Sequence, residues 1–259
     1  MRLTRCAVDA PMTEGESVRL PEGVAAHLLR VLRLGEGSHV ILFNGDGSDY
    51  EAELHAIGKN TASARILSVR PLSNESPLPL VLAQSVARGE KMDLILQKAT
   101  ELGVTAILPL ITERCEVRLD SERGDKRHQH WLAVIASACG QSGRARLPQL
   151  QRVMSLDAWL DRDPEPDLDV RIPASKSRLP IFHLDPDAEH SLSSAATQLK
   201  HGGCFVIGPE GGLGERDLSR LKAAGSTGLQ LGPRVLRTET AGLALIAAMQ
   251  TLYGDLCDR

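Results

Sequence analysis

Residues 203–217 read GCFVIGPEGGLGERD and residues 229–253 read LQLGPRVLRTETAGLALIAAMQTLY. Cys204 to Ile207 is a short apolar run of the kind that forms a buried strand. It empties into Gly208-Pro209-Glu210-Gly211-Gly212-Leu213-Gly214 before a helical pattern starts at Glu215. A glycine turn at the carboxyl end of a strand is where open α/β sheets bind ligands, because glycine takes unusual φ and lets a ligand approach the backbone. A second strand-loop-helix unit follows. Leu229 to Leu231 lead into Gly232-Pro233-Arg234-Val235-Leu236-Arg237, and Thr238 is an N-cap candidate for a long apolar helix. Two such loops side by side would enclose a flat heteroaromatic ligand. The first loop lacks the Gly-Lys-Ser/Thr ending of a P-loop and the G-x-G-x-x-G spacing of dinucleotide binders, so a nucleoside-like ligand without a phosphate chain is expected. For one glycine loop alone, a plain tight turn would explain the residues equally well.

Upstream of this pair, strands and helices alternate. Leu80 to Val86 reads as a buried strand, Met92 to Leu102 as an amphipathic helix closed by Gly103, and Thr105 to Ile111 as the next strand. Repeated βα units imply a mostly parallel sheet covered on both faces. Asp120 to His130 is a charged run opening a helix with Trp131, Ile135 and Ala138 on its inner face. Ser155 to Leu160 reads as a short capped helix, residues 161–180 as an acidic loop, and Ile181 to Leu184 as a strand. The last helix, Thr238 to Leu252, is apolar nearly all round, which requires burial on every face, and Gly242 within it implies close packing.

The first 70 residues differ in kind. Short strands are expected at Arg5 to Ala10, Ser17 to Leu20, Ser38 to Phe43, Tyr50 to Ile57 and Thr61 to Val69, with a hairpin turn at Asn44-Gly45-Asp46-Gly47 and one helix near Val24 to Arg33. A small antiparallel barrel fits this pattern. The Pro/Ser-rich stretch 71–79 marks the boundary, giving domains 1–72 and 73–259.

Composition narrows the class. A chain of 259 residues with 42% hydrophobic content can bury a sizeable core, and no apolar run reaches the length of a membrane span. The opening residues Met1 to Arg5 are not followed by the apolar core of a signal peptide. Five cysteines without a C-x-x-C pair read as reduced thiols of a cytoplasmic protein, and the scattered histidines give no metal site. A net charge of −3 does not announce a nucleic-acid binder, so any RNA affinity must come from local basic patches.

GPEGGLGERD (208–217) followed by LGPRVLRTETAGLAL (231–245) closely resembles the paired C-terminal motifs of the SPOUT methyltransferases, and in detail those of the RsmE-type 16S rRNA uridine-N3 methyltransferases. HLLRVLRLGEG (27–37), ARGEKMDLILQKATELGV (87–104), PLITERC (109–115) and QSGR (141–144) extend the resemblance over nearly the whole chain. It implies a PUA-like RNA-binding β-barrel over 1–72 and a SPOUT α/β domain over 73–259, with a C-terminal trefoil knot that helps form a homodimer. It also implies S-adenosylmethionine as methyl donor, S-adenosylhomocysteine as product, 16S rRNA of the small ribosomal subunit as substrate, and neither metal nor membrane. The chain departs from the family pattern in three places: Asp185-Pro186 replaces a His-Pro pair, Gly140 replaces a Glu, and Gly214 replaces a helix-capping Ser.

The resemblance places the donor against Leu184, Gly208, Glu210, Gly211, Gly212, Leu231, Gly232, Leu236, Arg237 and Thr238. Uracil N3 carries a proton at neutral pH, so a base must remove it or a cation must stabilise the anion spread over O2 and O4. Arg114 and Arg144 are the candidates to hold the flipped uridine, and Glu239 or Glu210 the carboxylate nearest the proton. For Glu239 the helix dipole alone would account for a carboxylate in a first turn. Arg2, Arg5, Arg30, Arg33, Arg88 and Lys91 are the candidate RNA contacts. A ribose 2′-O-methylating relative and a non-catalytic assembly factor are the rival readings.

Overall fold

The computed structural model describes residues 3–117, 121–162 and 179–257. Arg2 and most of the acidic stretch 161–180 lie outside the described residues. The chain falls into two compact units: Met1–Glu75 together with Ile135–Leu147, and Ser76–Val134 together with Pro148–Arg259.

The first unit contains β1 (Arg5–Ala7), β2 (Ser17–Arg19), α1 (Glu22–Ala26), β3 (His39–Phe43), β4 (Ser48–His55) and β5 (Ser63–Pro71), paired in the order β1-β3-β4-β5-β2. Alternate residues of β3, β4 and β5 point into one core, where Val40, Leu42, Leu54, Ala64 and Ile66 are buried with Leu28. The turn between β3 and β4 is held by its own side chains: Asn44 Oδ1 accepts from Asp46 N at 3.1 Å and Asp46 Oδ1 from Ser48 N at 2.8 Å. One expectation needs correcting, since β1 runs parallel to β3. The sheet is therefore mixed rather than wholly antiparallel, as the long β1-to-β3 connection permits. The helix also differs from expectation. α1 widens into a π-helical turn over His27–Val31, and Arg33 sits at φ +56, so the regular helix expected over 24–33 is interrupted. Gly140, grouped with this unit, sits in a tight place: an added Cβ would lie 3.0 Å from the Arg5 carbonyl oxygen, so a larger residue would require the backbone there to shift by a few tenths of an ångström.

The second unit is built from β6 (Leu80–Ser85), α2 (Lys91–Glu101), β7 (Ala106–Ile111), α3 (Ser121–Ser142, whose second half groups with the first unit), β8 (Gln149–Leu150), β9 (Met154–Ser155), α4 (Leu156–Leu160), β10 (Ile181–Leu184), β11 (His190–Ser191), α5 (Ala196–Leu199), β12 (Gly203–Ile207), α6 (Glu215–Ala223), β13 (Thr227–Gln230) and α7 (Thr238–Tyr253). Its strands pair in parallel in the order β11-β13-β10-β12-β6-β7-β8, with β9 also on β7. Every residue of β6 and β12 is buried, the polar Gln84 and Ser85 at the end of β6 included, as strands covered by helices on both faces require. The chain moves one way along the sheet from β6 to β7 and the other way from β12 to β13. The carboxyl ends of β10, β12 and β13 therefore border the switch point, where ligands enter such sheets.

α7 packs against α2, β6 and β12. Gly242 allows this approach: a Cβ there would lie 3.1 Å from Leu82 Cδ1 and 3.3 Å from Ile207 Cγ1. Farther along, the fully buried Gln250 donates from Nε2 to the Leu102 carbonyl at 2.9 Å, and Ser76 Oγ donates to its Oε1 at 2.7 Å. Burial on every face is not what the single chain displays. Leu243, Ala244, Ala247 and Ala248 are half-buried and Leu252 is exposed.

Candidate functional site

One cavity of about 580 Å³ opens at the switch point, walled by the loops after β10, β12 and β13 and by the start of α7. Its first loop is shaped by two glycines. At Gly208 an added Cβ would lie 2.9 Å from the Leu213 backbone nitrogen, and Gly212 takes φ +72. β13 begins two residues earlier than the sequence suggests and ends at Gln230, which leaves Leu231 in the loop as wall. Asp185, Pro186 and Asp187 form the remaining edge. There Asp185 Oδ1 accepts from Asp187 N at 3.0 Å, and Gln230 Nε2 donates to the Pro186 carbonyl at 2.8 Å, so the departure from His-Pro still gives a fixed turn.

The two loops are tied together from beneath. Thr238 does not cap α7 by its side chain; Arg237 occupies the N-cap position, and Thr238 is the first helical residue. Its buried hydroxyl donates to the Gly208 carbonyl at 2.6 Å and accepts from Gln84 Nε2 at 3.0 Å. Gln84 also donates to the Ser85 carbonyl at 3.0 Å. One side chain thus joins α7, the first glycine loop and the central strand β6.

The helix after that loop is capped from outside. Gly214 lacks a side chain to bond N–H groups of α6. Instead, Glu113 Oε2 accepts from Arg216 N at 3.1 Å, while Asp217 accepts from Gly214 N at 3.1 Å and from Glu113 N at 3.0 Å. Glu113 occupies the space a Gly214 side chain would need, because a Cβ would come within 1.9 Å of its Oε2. The next residue, Arg114, donates from Nη1 to the Gly211 carbonyl at 3.0 Å, which lays its guanidinium along the loop at the cavity wall.

Nine of the ten residues expected against the donor line this cavity, Gly211 being the exception, and Lys91, Arg114 and Glu239 line it with them. Lys91 Nζ lies 3.2 Å from Glu210 Oε1 and 3.4 Å from Glu239 Oε2. The Arg88 backbone N–H also donates to Glu210 Oε1, at 3.2 Å. Partial burial pushes the Glu210 carboxyl up, but the backbone N–H groups of Glu210 and Arg88 and the Lys91 ammonium outweigh it and hold the group below 4.5. Glu239 Oε2 is buried and has no hydrogen bond among the described residues, leaving the longer ion pair with Lys91 as its contact. Four basic and five acidic side chains line the cavity. That balance offers no cationic excess for a phosphate chain, and the apolar faces of Leu184, Leu218, Leu229, Leu231 and Leu236 suit a flat nucleoside.

Other expected contacts lie elsewhere. Arg144 belongs to the first unit, where its buried guanidinium is held by Glu75, with Nη2 2.6 Å and Nε 3.0 Å from Oε2. Arg5 is likewise a core group. It pairs with buried Asp49, donates to the Arg144 carbonyl at 2.9 Å and stacks over Phe43 at 5.1 Å. These contacts make Arg5 an internal anchor of the first unit. Its partner Asp49 stands 44 positions away, which local spacing could not reveal. Arg30 and Arg33 are exposed, with Arg30 bonded to Asn60, and Arg88 pairs with Glu116 at the surface. Among the described residues there is no cluster of three metal-ligating side chains, and no helix is long and apolar enough to cross a membrane.

Residues 74–250 match the model of the RNA methyltransferase domain and residues 12–67 that of the RNA methyltransferase PUA domain. The chain is 32% identical to the ribosomal RNA small subunit methyltransferase E of Bacillus subtilis, over 88% of this chain and 89% of that protein. Two solved structures resemble it throughout. A Neisseria gonorrhoeae ribosomal RNA small subunit methyltransferase E bound to S-adenosylmethionine is 36% identical, with TM-score 0.84 over 98% of this chain and all of that one. A Legionella pneumophila chain described as a methyltransferase, also with bound S-adenosylmethionine, is 34% identical with TM-score 0.88 over 99% of this chain and 100% of that one.

Proposed function

The chain belongs to the ribosomal RNA small subunit methyltransferase E family, a PUA domain followed by an RNA methyltransferase domain, and from that premise we infer that it methylates N3 of a specific uridine in 16S rRNA. The observation that carries the reading is the single cavity in which both glycine-turn loops meet Leu184, Arg114, Lys91 and Glu239. Its apolar faces and backbone groups accommodate the adenosine of S-adenosylmethionine. That donor supplies an already activated methyl group, which leaves the protein to align the base and to deal with its proton.

Arg114, lying along the glycine loop, holds the uridine after it leaves its stack. Glu239 accepts the N3 proton, with Glu210 holding the cation beside it. The N-terminal unit grips phosphates through exposed Arg30 and Arg33, and Arg144 acts by shaping that unit. The C-terminal segment completes a trefoil knot and pairs with a second copy in the cytoplasm. The half-covered face of α7, with Leu252 and the largely exposed Val235 nearby, is the apolar surface in favour of that pairing.

Calorimetry with S-adenosylmethionine, followed by reaction with small subunits lacking the modification and mass-spectrometric mapping of the product, tests the reading. Stoichiometric binding and a 3-methyluridine are expected. No binding, or a methyl group on a ribose oxygen, refutes it.

A further inference from the structure

Lys91 is shared by two carboxylates that differ in how they are held. Glu210 is fixed by the Arg88 backbone N–H as well as by the ammonium, and its depressed pKa keeps it ionised. Among the described residues Glu239 meets only the ammonium, at 3.4 Å, and its Oε2 has no hydrogen bond. Lys91 itself is about one-third exposed and lines the cavity with both partners. Such a cation can leave the looser partner while remaining attached to the tighter one.

The geometry points to Lys91 as the catalytic cation of the reaction inferred above: its ammonium moves from Glu239 to a carbonyl oxygen of the target uracil while Glu210 keeps hold of it. The inference rests on the uridine-N3 reading. A carboxylate is a weak base for an imide N–H, so the anion that proton removal creates needs a positive charge beside it. Placed against O2 or O4, the displaced ammonium supplies that charge. In the full step the N3–H bond breaks and its proton goes to the Glu239 carboxylate. The electron pair left on N3 forms the new bond to the methyl carbon. The carbon–sulfur bond breaks with its pair remaining on sulfur, which discharges the sulfonium. The proton on Glu239 then passes to solvent. Arg114 does not duplicate this role, because it is bound to the Gly211 carbonyl on the loop and, among the described residues, no carboxylate contact draws it toward Glu239.

The test uses the full chain, with Lys91→Gln and Lys91→Arg compared with the wild type on RNA carrying uridine or 5-fluorouridine at the target position. Fluorine makes N3 more acidic and so substitutes chemically for the missing cation. Lys91→Gln is expected to bind S-adenosylmethionine normally yet to transfer methyl on the order of 100-fold more slowly, as for loss of one preorganised charge donor. The fluorinated RNA should recover much of that loss, and Lys91→Arg should be impaired less than Lys91→Gln. A readout independent of turnover is the ¹⁹F shift of the fluorinated RNA bound with S-adenosylhomocysteine, titrated against pH. N3 should ionise at lower pH on the wild type than on Lys91→Gln. Equal N3 ionisation on both proteins, or equal fluorine sensitivity of both rates, overturns the proposal, as does loss of donor binding in Lys91→Gln. Glu210→Gln, which loosens the anchor, should shift the ¹⁹F titration in the same direction by a smaller amount. Failure of the wild type to form 3-methyluridine would instead sink the underlying reading.

Discussion

Replacing Thr238 by valine removes one hydroxyl and almost no volume, yet that hydroxyl joins three elements. Two hydrogen bonds disappear, the 2.6 Å bond to the Gly208 carbonyl and the 3.0 Å bond from Gln84. Gln84 keeps its bond to the Ser85 carbonyl, so the group stranded most completely is the Gly208 oxygen. At about 1 kcal/mol net for each bond, with the added cost of an unsatisfied buried carbonyl, the loss should total about 2–4 kcal/mol. For a domain of this size that lowers the apparent Tm by roughly 5–10 °C. Because the freed carbonyl belongs to the first glycine loop, donor affinity should also fall. Each 1.4 kcal/mol spent on re-ordering the loop appears as about tenfold in Kd. Thermal unfolding and calorimetry with S-adenosylmethionine measure both effects. Thr238→Ser is the control, since it keeps both hydrogen bonds and loses only about 1 kcal/mol of methyl burial. A valine variant as stable and as tightly binding as the serine variant would refute the idea that this hydroxyl fastens the loops.

Three further outcomes follow from the same geometry. Gly214→Ser should cost about 1 kcal/mol in the wild type by displacing the Glu113 cap, but should be neutral or stabilising in a Glu113→Ala background; additive effects in urea unfolding would rule out the shared space. Arg144→Met should destabilise the protein by about 3 kcal/mol by leaving Glu75 unpaired, and Glu75→Leu combined with it should restore part of the loss, as unfolding of the double mutant will decide. Burial, aided by Lys222 and opposed by Asp185, holds the His183 imidazole below its usual 6.5. The unfolded chain therefore takes up the proton first, so stability should decline as pH falls from 6.5 until the folded imidazole protonates, and His183→Asn should flatten that part of the profile.

How much of this was legible beforehand depends on the range over which each feature is decided. The parallel sheet could be read because β6 and β12 carry their burial in continuous apolar runs, and the loops around the cavity because glycine at a strand end is a local signal. The parallel pairing of β1 with β3 was not legible, since short strands joined by long connections carry no mark of direction. Charged groups were the hardest. Arg5 and Arg144 carry no local mark of their partners, and only the folded chain brings Asp49 and Glu75 to them. The ion pairs of Lys91 are equally invisible in one dimension, because the two carboxylates that share it arrive from the β12 loop and from α7, more than a hundred residues later. Gly214 was visible as a departure, but its reason, a glutamate lent by another loop, was not.

The bonds made by Gln250 also govern the order in which this protein can be made. Its amide reaches Leu102 and Ser76, the latter 174 positions earlier, and α7 lies against β6, the first strand of its unit. A ribosome must therefore have synthesised the final helix before the strand translated first can receive its cover. Until then the nascent sheet displays bare aliphatic surface, so yield in the cell should depend on holdase chaperones and on elongation speed well before any substrate is met.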